Sequence, residues 1–212
     1  MKRIRDLRFL TNNTYVVRFD REDMQFRAGQ HISAGPRDSA QLREYSIYSG
    51  EQDGHLEILV REVTDGNISV RLKECQPGQL ARIRGPRGRL VLGQEEISGR
   101  THVFIATGTG IAPFHSYVRS YPGLDYRIIH GVRHAGEAYD RDHYDAGRYI
   151  LCTSKDSRGD YQGRVTGYLK EQPADPEALY HVVGNSQMVY EVYDILREKG
   201  VDASAMRSEV YF

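Results

Sequence analysis

The chain has 212 residues, of which 29 are basic and 29 acidic, so its formal net charge is zero. That balance gives no general attraction to nucleic acid or to an acidic membrane surface, and no apolar run approaches the roughly 20 residues of a membrane-spanning helix. Two cysteines, Cys75 and Cys152, fall short of the four thiolates of a common iron–sulfur cluster and make a disulfide framework unexpected. The opening MKRIRDLRFL lacks the apolar core of a secretory signal, and the expected setting is the cytoplasm. His130 and His134 stand four apart, but Gly131 breaks the helix that a metal-binding pair would need, so no metal site is expected.

Residues 2 to about 95 read as short strands separated by Gly- and Pro-containing turns. Apolar alternation marks Ile4 to Leu10 and Tyr15 to Phe19, a strand follows Arg27-Ala28-Gly29-Gln30, and the series continues at Tyr45–Tyr48, His55–Val63 and Leu80–Ile83. Many short strands at this spacing predict a small antiparallel barrel. One helix interrupts it, Ile68 to Lys73, opened by Gly66-Asn67. Arg82, Arg84, Arg87 and Arg89, with Arg3, Arg5 and Arg8, form either a docking face for an acidic partner or solvated strand edges, the second being favoured.

From about residue 101 the pattern changes. Strands at 102–107, 126–132, 148–153 and 180–183 alternate with helices at about 111–121, 136–144, 164–171 and 186–199, which predicts a parallel sheet covered by helices. The expected domains are 1–95 and 100–212, with the boundary at Gly93 to Gly99. The centre of this half is Thr101 to Phe114, THVFIATGTGIAPF. A buried strand ends at Thr107, Gly108-Thr109-Gly110 turns, and Ile111 opens a helix with Pro113 in its first turn, where a missing N–H costs nothing. Strand, glycine turn and helix start together make a phosphate site. On a strand, Arg43 and Tyr45 face the same way, and an arginine grips a pyrophosphate through two hydrogen bonds. Asp65 and Gly66-Asn67-Ile68-Ser69 open a helix; ordinary capping explains that turn, and a phosphate would also suit it.

Arg43-Glu44-Tyr45-Ser46, Gly66-Asn67-Ile68-Ser69, Gly108 to Pro113, Gly184-Asn185-Ser186-Gln187-Met188 and the ending Glu209-Val210-Tyr211-Phe212 occur in that order. With them the chain resembles, over nearly its whole length, the ferredoxin–NADP reductase family of flavoproteins in its bacterial form. The resemblance implies an N-terminal antiparallel β-barrel that binds FAD and a C-terminal α/β parallel sheet that binds NADP(H). It assigns Arg43 to the FAD pyrophosphate, with Gly66, Asn67, Ile68 and Ser69 at its other end. Tyr45 packs on the isoalloxazine, Ser46 hydrogen-bonds the flavin nitrogen that takes the hydride, and Leu59, Val60 and Arg61 line the ribityl and adenosine portion. Thr107, Gly108, Thr109, Gly110, Ile111 and Pro113 hold the nucleotide pyrophosphate; Gly184, Asn185 and Met188 lie by the nicotinamide.

Arg133, Ser154, Lys155 and Arg164 are the resemblance's candidates for the 2′-phosphate, which favours NADPH over NADH. Glu209 orients groups near the flavin, Tyr211 covers the face that nicotinamide must reach, and Phe212 adds a second terminal aromatic. The chain departs from the family at Val183, where cysteine is usual, at Ser186, where proline is common, at Lys155, where arginine is, and at Tyr48, where a small residue is. The implied activity is hydride transfer from NADPH to FAD and electron transfer on to ferredoxin or flavodoxin, by a monomer without nucleic-acid or membrane partners. The alternatives are an NADH-dependent reductase component of an oxygenase system and a non-catalytic regulatory subunit. Retention of Arg43, Tyr45, Ser46 and Glu209 together speaks against the last.

Overall fold

The structure is a computed structural model and describes residues 1–63 and 67–211. The first stretch forms β1 (Lys2–Phe9), β2 (Thr14–Asp20), β3 (His31–Pro36), β4 (Arg43–Ser46), β5 (His55–Arg61), α1 (Asn67–Lys73) and β6 (Leu80–Arg87). Then come α2 (Gln94–Gly99), β7 (His102–Thr107), a 3-10 turn (Gly108–Ile111), α3 (Ala112–Ser120), β8 (Tyr126–Val132), β9 (Tyr149–Thr153) and β10 (Tyr161–Gln162). The chain ends with α4 (Val165–Glu171), β11 (Leu179–Gly184), α5 (Ser186–Glu198) and β12 (Met206–Val210). It falls into two compact units, Met1–Val91 with Ala112–Ser120, and Leu92–Ile111 with Tyr121–Phe212. Among the described residues no helix is long and apolar enough to cross a membrane.

In the first unit six antiparallel strands run in the order β4-β3-β6-β1-β2-β5. Edge strands expose unpaired backbone groups. Here the edges meet through an Ile47–Ile58 bridge and the sheet closes, as the strand spacing predicts. The inward positions are apolar: Ile4, Val17, Phe19, Ile32, Ile47, Leu56, Ile58 and Val60 are fully buried. On α1, Ile68 and Leu72 stand four apart, on one helix face, and close this core.

Helix α3 completes the first unit through polar contacts to backbone. The Ser116 hydroxyl donates to the Ser49 carbonyl at 2.7 Å, and His115 Nδ1–H donates to the Tyr48 carbonyl at 2.6 Å, its ring stacked on Tyr48. The Tyr117 hydroxyl donates to the Leu90 carbonyl, and Arg119 grips Asp53 with two nitrogens at 2.9 and 3.0 Å.

In the second unit the strands are all parallel, in the order β10-β9-β8-β7-β11-β12. The chain starts at β7, builds outward through β8, β9 and β10, then returns to add β11 and β12 on the other side. The strand order therefore reverses between β7 and β11. On α5, Met188, Val189, Val192, Ile195 and Leu196 form an apolar stripe that packs in one core with Ile105, Val182 and Met206.

Three expectations are corrected. The helix at 136–144 is replaced by two 3-10 turns, Ala135–Glu137 and Arg141–His143. Asp140 between them is left-handed (φ 48°, ψ 42°), which ends any helix, and Tyr139 and Tyr144 are both buried at a spacing of five that no single helix face provides. The alternation of charged and apolar residues from Glu209 reads as a last strand starting there; the strand instead starts at Met206 and runs to Val210, and Tyr211 adds one bond, its N–H donating to the Gly184 carbonyl at 2.8 Å. The short strand β10 pairs with β9 where none was expected.

Candidate functional site

The first unit's candidates lie on the edge strand β4 and around the start of α1. Arg43 and Tyr45 lie opposite Ala34 and Ile32, whose side chains are fully buried, so the two share the barrel's inner side. Arg43, at the strand's outer end, is exposed. Its guanidinium has no hydrogen-bonding or ion-pair partner among the described residues, whereas Arg119 is paired with Asp53 and Arg71 with Asp38. Tyr45 is half-buried against the core, and burial pushes its phenol up to about 12. It stays neutral at ordinary pH. Ser46 ends the strand opposite His31 and is buried.

Leu59 and Val60 are buried in β5, so they can offer a ligand only backbone, and Arg61 is half-buried at the strand's end. Asn67 is exposed and Ile68 buried at the start of α1. The Ser69 hydroxyl accepts the Val63 N–H at 3.1 Å, and its carbonyl takes the Tyr15 hydroxyl, which fastens the helix start to the segment after β5 and to β2. Gly66 lies outside the described residues, as does Phe212. Of the arginines read as a basic face, Arg5 pairs with Asp20 and Arg82 donates to the Ser39 carbonyl; Arg84, Arg87 and Arg89 are exposed.

In the second unit the turn after β7 and the turn after β11 meet across the point where strand order reverses, the place where open parallel sheets take ligands. Gly108 is left-handed at φ +54°. A Cβ on Gly110 would overlap the Val183 carbonyl oxygen and stand 2.9 Å from its carbon. One on Gly184 would overlap the Thr107 hydroxyl and stand 2.7 Å from Met188 Cε. The glycines thus let the two strand-end turns interlock. Asn185 caps α5, its Oδ1 accepting the Met188 N–H at 3.0 Å. Thr107 and Thr109 are half-buried and Ile111 is buried. Pro113, in the first turn of α3, is buried with the first unit.

The three basic candidates converge on one edge of this sheet. Arg133 follows β8, Ser154 and Lys155 follow β9, and Arg164 follows β10; these strands are neighbours, and all three ends point the same way. The Lys155 N–H donates to the Arg133 carbonyl at 2.9 Å and the Ser154 N–H to the Val132 carbonyl at 3.0 Å. The Arg133 loop is held by carboxylates: Glu137 accepts the N–H groups of Arg133 and His134, and Asp156 accepts that of Ala135. Arg158 hydrogen-bonded to Asp156 holds that carboxyl well below the usual range, so Asp156 is ionised at ordinary pH. The side-chain cations of Arg133, Lys155 and Arg164 are exposed and have no ion-pair partner among the described residues. An anion is what this donor set lacks, and a nucleotide phosphate fits it. Glu209 lies beside Val183 in the β11–β12 register, which brings Glu209 and Tyr211 to the same sheet edge as Gly184.

One residue at this edge escaped sequence reasoning. His130 in β8 is fully buried, with Nε2 2.8 Å from the Gly108 carbonyl and Nδ1 2.6 Å from the Tyr149 hydroxyl. Burial lowers its pKa to about 4. A histidine inside an apolar strand, next to a strand carrying a tyrosine, was the available signal, but reading it needs the strand order.

Residues 3–92 match the family model described as the oxidoreductase FAD-binding domain. The flavodoxin/ferredoxin–NADP reductase of Rhodobacter capsulatus is 34% identical over 192 residues, covering 85% of this chain and 67% of that protein. The NADH-cytochrome b5 reductase 1 of Lodderomyces elongisporus is 32% identical over 84% of this chain and 55% of its own length. The toluate 1,2-dioxygenase electron transfer component of Pseudomonas putida is 29% identical over 84% of this chain and 56% of its own. The chain therefore spans little more than half the length of these last two relatives. Among solved structures, the ferredoxin NADP+ reductase from Neisseria gonorrhoeae with bound FAD and NADP superposes with a TM-score of 0.84 at 22% identity, covering 100% of this chain and 98% of that one, a likeness of fold.

Proposed function

Because the chain belongs to the ferredoxin–NADP reductase family, we propose that it is an FAD-dependent oxidoreductase that takes hydride from NADPH and delivers electrons to a ferredoxin or flavodoxin, acting as a monomer in the cytoplasm. Residues 1–95 hold the flavin and residues 100–212 the nicotinamide nucleotide. The observation that carries the reading is the convergence of a glycine turn at the strand-order reversal with three uncompensated cations on the same sheet edge.

Bound FAD supplies the chemistry, accepting an electron pair from nicotinamide and releasing electrons singly. The protein supplies position. Arg43 grips the flavin pyrophosphate, with Asn67, Ile68 and Ser69 at its other end; Gly66 belongs with them by sequence. Tyr45 packs on the ring system, Ser46 hydrogen-bonds the flavin nitrogen that receives the hydride, and Leu59 to Arg61 offer backbone to the ribityl and adenosine portion. The turn from Thr107 to Ile111, with Pro113, binds the nucleotide pyrophosphate, and Arg133, Ser154, Lys155 and Arg164 bind the 2′-phosphate. Gly184, Asn185 and Met188 would seat the nicotinamide, Glu209 would orient groups around the transfer, and Tyr211 would cover the flavin face that the nicotinamide must reach; Phe212 belongs with it by sequence.

Arg43→Ala should raise the dissociation constant of FAD at least tenfold, the order of one charge-assisted hydrogen bond; fluorescence titration of the apoprotein measures it, and unchanged affinity removes Arg43 from the site. Steady-state reduction of a panel of carriers with either coenzyme tests the whole reading. A protein that gains no flavin on reconstitution would sink it. Arg133→Ala and Lys155→Ala should each raise KM for NADPH on the order of tenfold while leaving kcat and the NADH constants nearly unchanged. A 2′-phosphate contact is equal in ground and transition states. Equal losses with both coenzymes would show that these cations do not read that phosphate.

A second reading has its own support. The toluate dioxygenase component is an electron transfer protein of an oxygenase, and Lys155 offers a point charge in place of an arginine fork. An NADH preference in the same assay would select it.

A further inference from the structure

The side chain of His130 is fully enclosed, yet it does not simply fill the core. It spans from the Tyr149 hydroxyl (2.6 Å) to the carbonyl of Gly108 (2.8 Å), the first residue of the glycine turn. A carbonyl oxygen can only accept, so Nε2 carries the proton, and Nδ1 must then accept from the Tyr149 hydroxyl. The direction of the whole chain is fixed: Tyr149 O–H to His130 Nδ1, and His130 Nε2–H to Gly108 C=O. A trans peptide places its carbonyl and its N–H on opposite sides. Anchoring the Gly108 carbonyl toward β8 therefore turns the Thr109 N–H of the same peptide the other way. Thr109 stands in the first turn of the 3-10 segment, where the segment itself supplies no acceptor for that N–H.

We infer that His130 is a positioning residue for the nucleotide site: through the Gly108 carbonyl it sets the peptide plane whose Thr109 N–H meets the coenzyme pyrophosphate, and Tyr149 sets the tautomer that makes this possible. Neither side chain touches the nucleotide. The inference rests on the nucleotide reading given above, and it separates two parts of one ligand. The pyrophosphate depends on the turn, whereas the 2′-phosphate depends on Arg133, Lys155 and Arg164 after other strands.

Two probes exploit that separation in the FAD-loaded protein: NADP+, which has both phosphate groups, and adenosine 2′-monophosphate, which has no pyrophosphate. His130→Phe keeps an aromatic of similar size and removes the donor. Calorimetric titration should show its NADP+ dissociation constant raised on the order of tenfold, with the constant for adenosine 2′-monophosphate unchanged. His130→Gln, whose amide can donate to the same carbonyl, should recover most of the loss. Tyr149→Phe, which removes one hydroxyl, should weaken NADP+ about threefold with the same selectivity. If His130→Phe does not fold, the Tyr149→Phe and His130→Gln pair decides. Unchanged NADP+ affinity in Tyr149→Phe, or equal loss of both probes in any folded variant, overturns the inference. A wild-type protein that binds neither probe overturns the nucleotide reading itself and this inference with it.

Discussion

Between about pH 7.5 and about pH 5 the second unit will lose stability, and buried histidines will account for it. His102, His130 and His181 all lie in its sheet, and burial lowers the pKa of each. His102 Nε2–H donates to the Glu96 carbonyl at 3.0 Å, so its Nδ1 must accept from His181 Nε2–H at 3.1 Å; a proton added at that nitrogen would set two hydrogens against each other. All three are held neutral in the folded chain, while the unfolded chain takes up protons near the ordinary histidine value of 6.5. Stability is therefore complete above that value and falls with pH until the folded groups titrate, about 4 for His130. That residue alone removes about 2 kcal/mol by pH 5. Asp53, Glu96 and Asp156, held below the ordinary carboxylate range, contribute their loss only below about pH 4. Urea midpoints across this range measure the slope. His130→Gln should remove its share, and a midpoint that stays constant down to about pH 5 would refute the assignment.

Gly110→Ala should destabilise the second unit by about 3 kcal/mol, at the upper end of overpacking. The added methyl meets the carbonyl of Val183, a backbone atom of a buried central strand that has no room to withdraw. Relief would have to come from the 3-10 turn, so coenzyme affinity should fall along with the melting temperature. Gly123→Ala is the control. Nothing lies within 4 Å of its Cβ, and its effect should stay within about 0.5 kcal/mol. Calorimetric melting of the two variants separates the cases; equal shifts would show that the turn yields.

Much of the framework of the candidate site was legible because it rests on short-range patterns. The apolar strand ending in Gly108-Thr109-Gly110 forms as expected, and Arg133, Lys155 and Arg164 fall beyond strand ends that local periodicity locates. Their shared edge follows from strand order, which a strand–helix alternation constrains. What escaped depends on distant partners. His130 offered only a failed metal spacing until β7, β8 and β9 were placed side by side. Asp140 carries no local sign of its left-handed backbone; it follows from burying Tyr139 and Tyr144 together. The tight fit at Gly110 depends on Val183, more than seventy positions later, so a turn read as open to phosphate is also a surface for its neighbour.

Helix α3 bears on how the chain can be cut or recombined. The carbonyls of Tyr48, Ser49 and Leu90 receive side chains from residues 115 to 117. A fragment ending near residue 95 would carry the whole barrel strand set and still lack these partners, leaving acceptors unmet and the Tyr48 ring without its stacked imidazole. Modularity here does not follow sequence order. A chimera that grafts this barrel onto another nucleotide half must bring residues 112–120 along, or choose a recipient whose equivalent helix offers serine, histidine and tyrosine at the same three places.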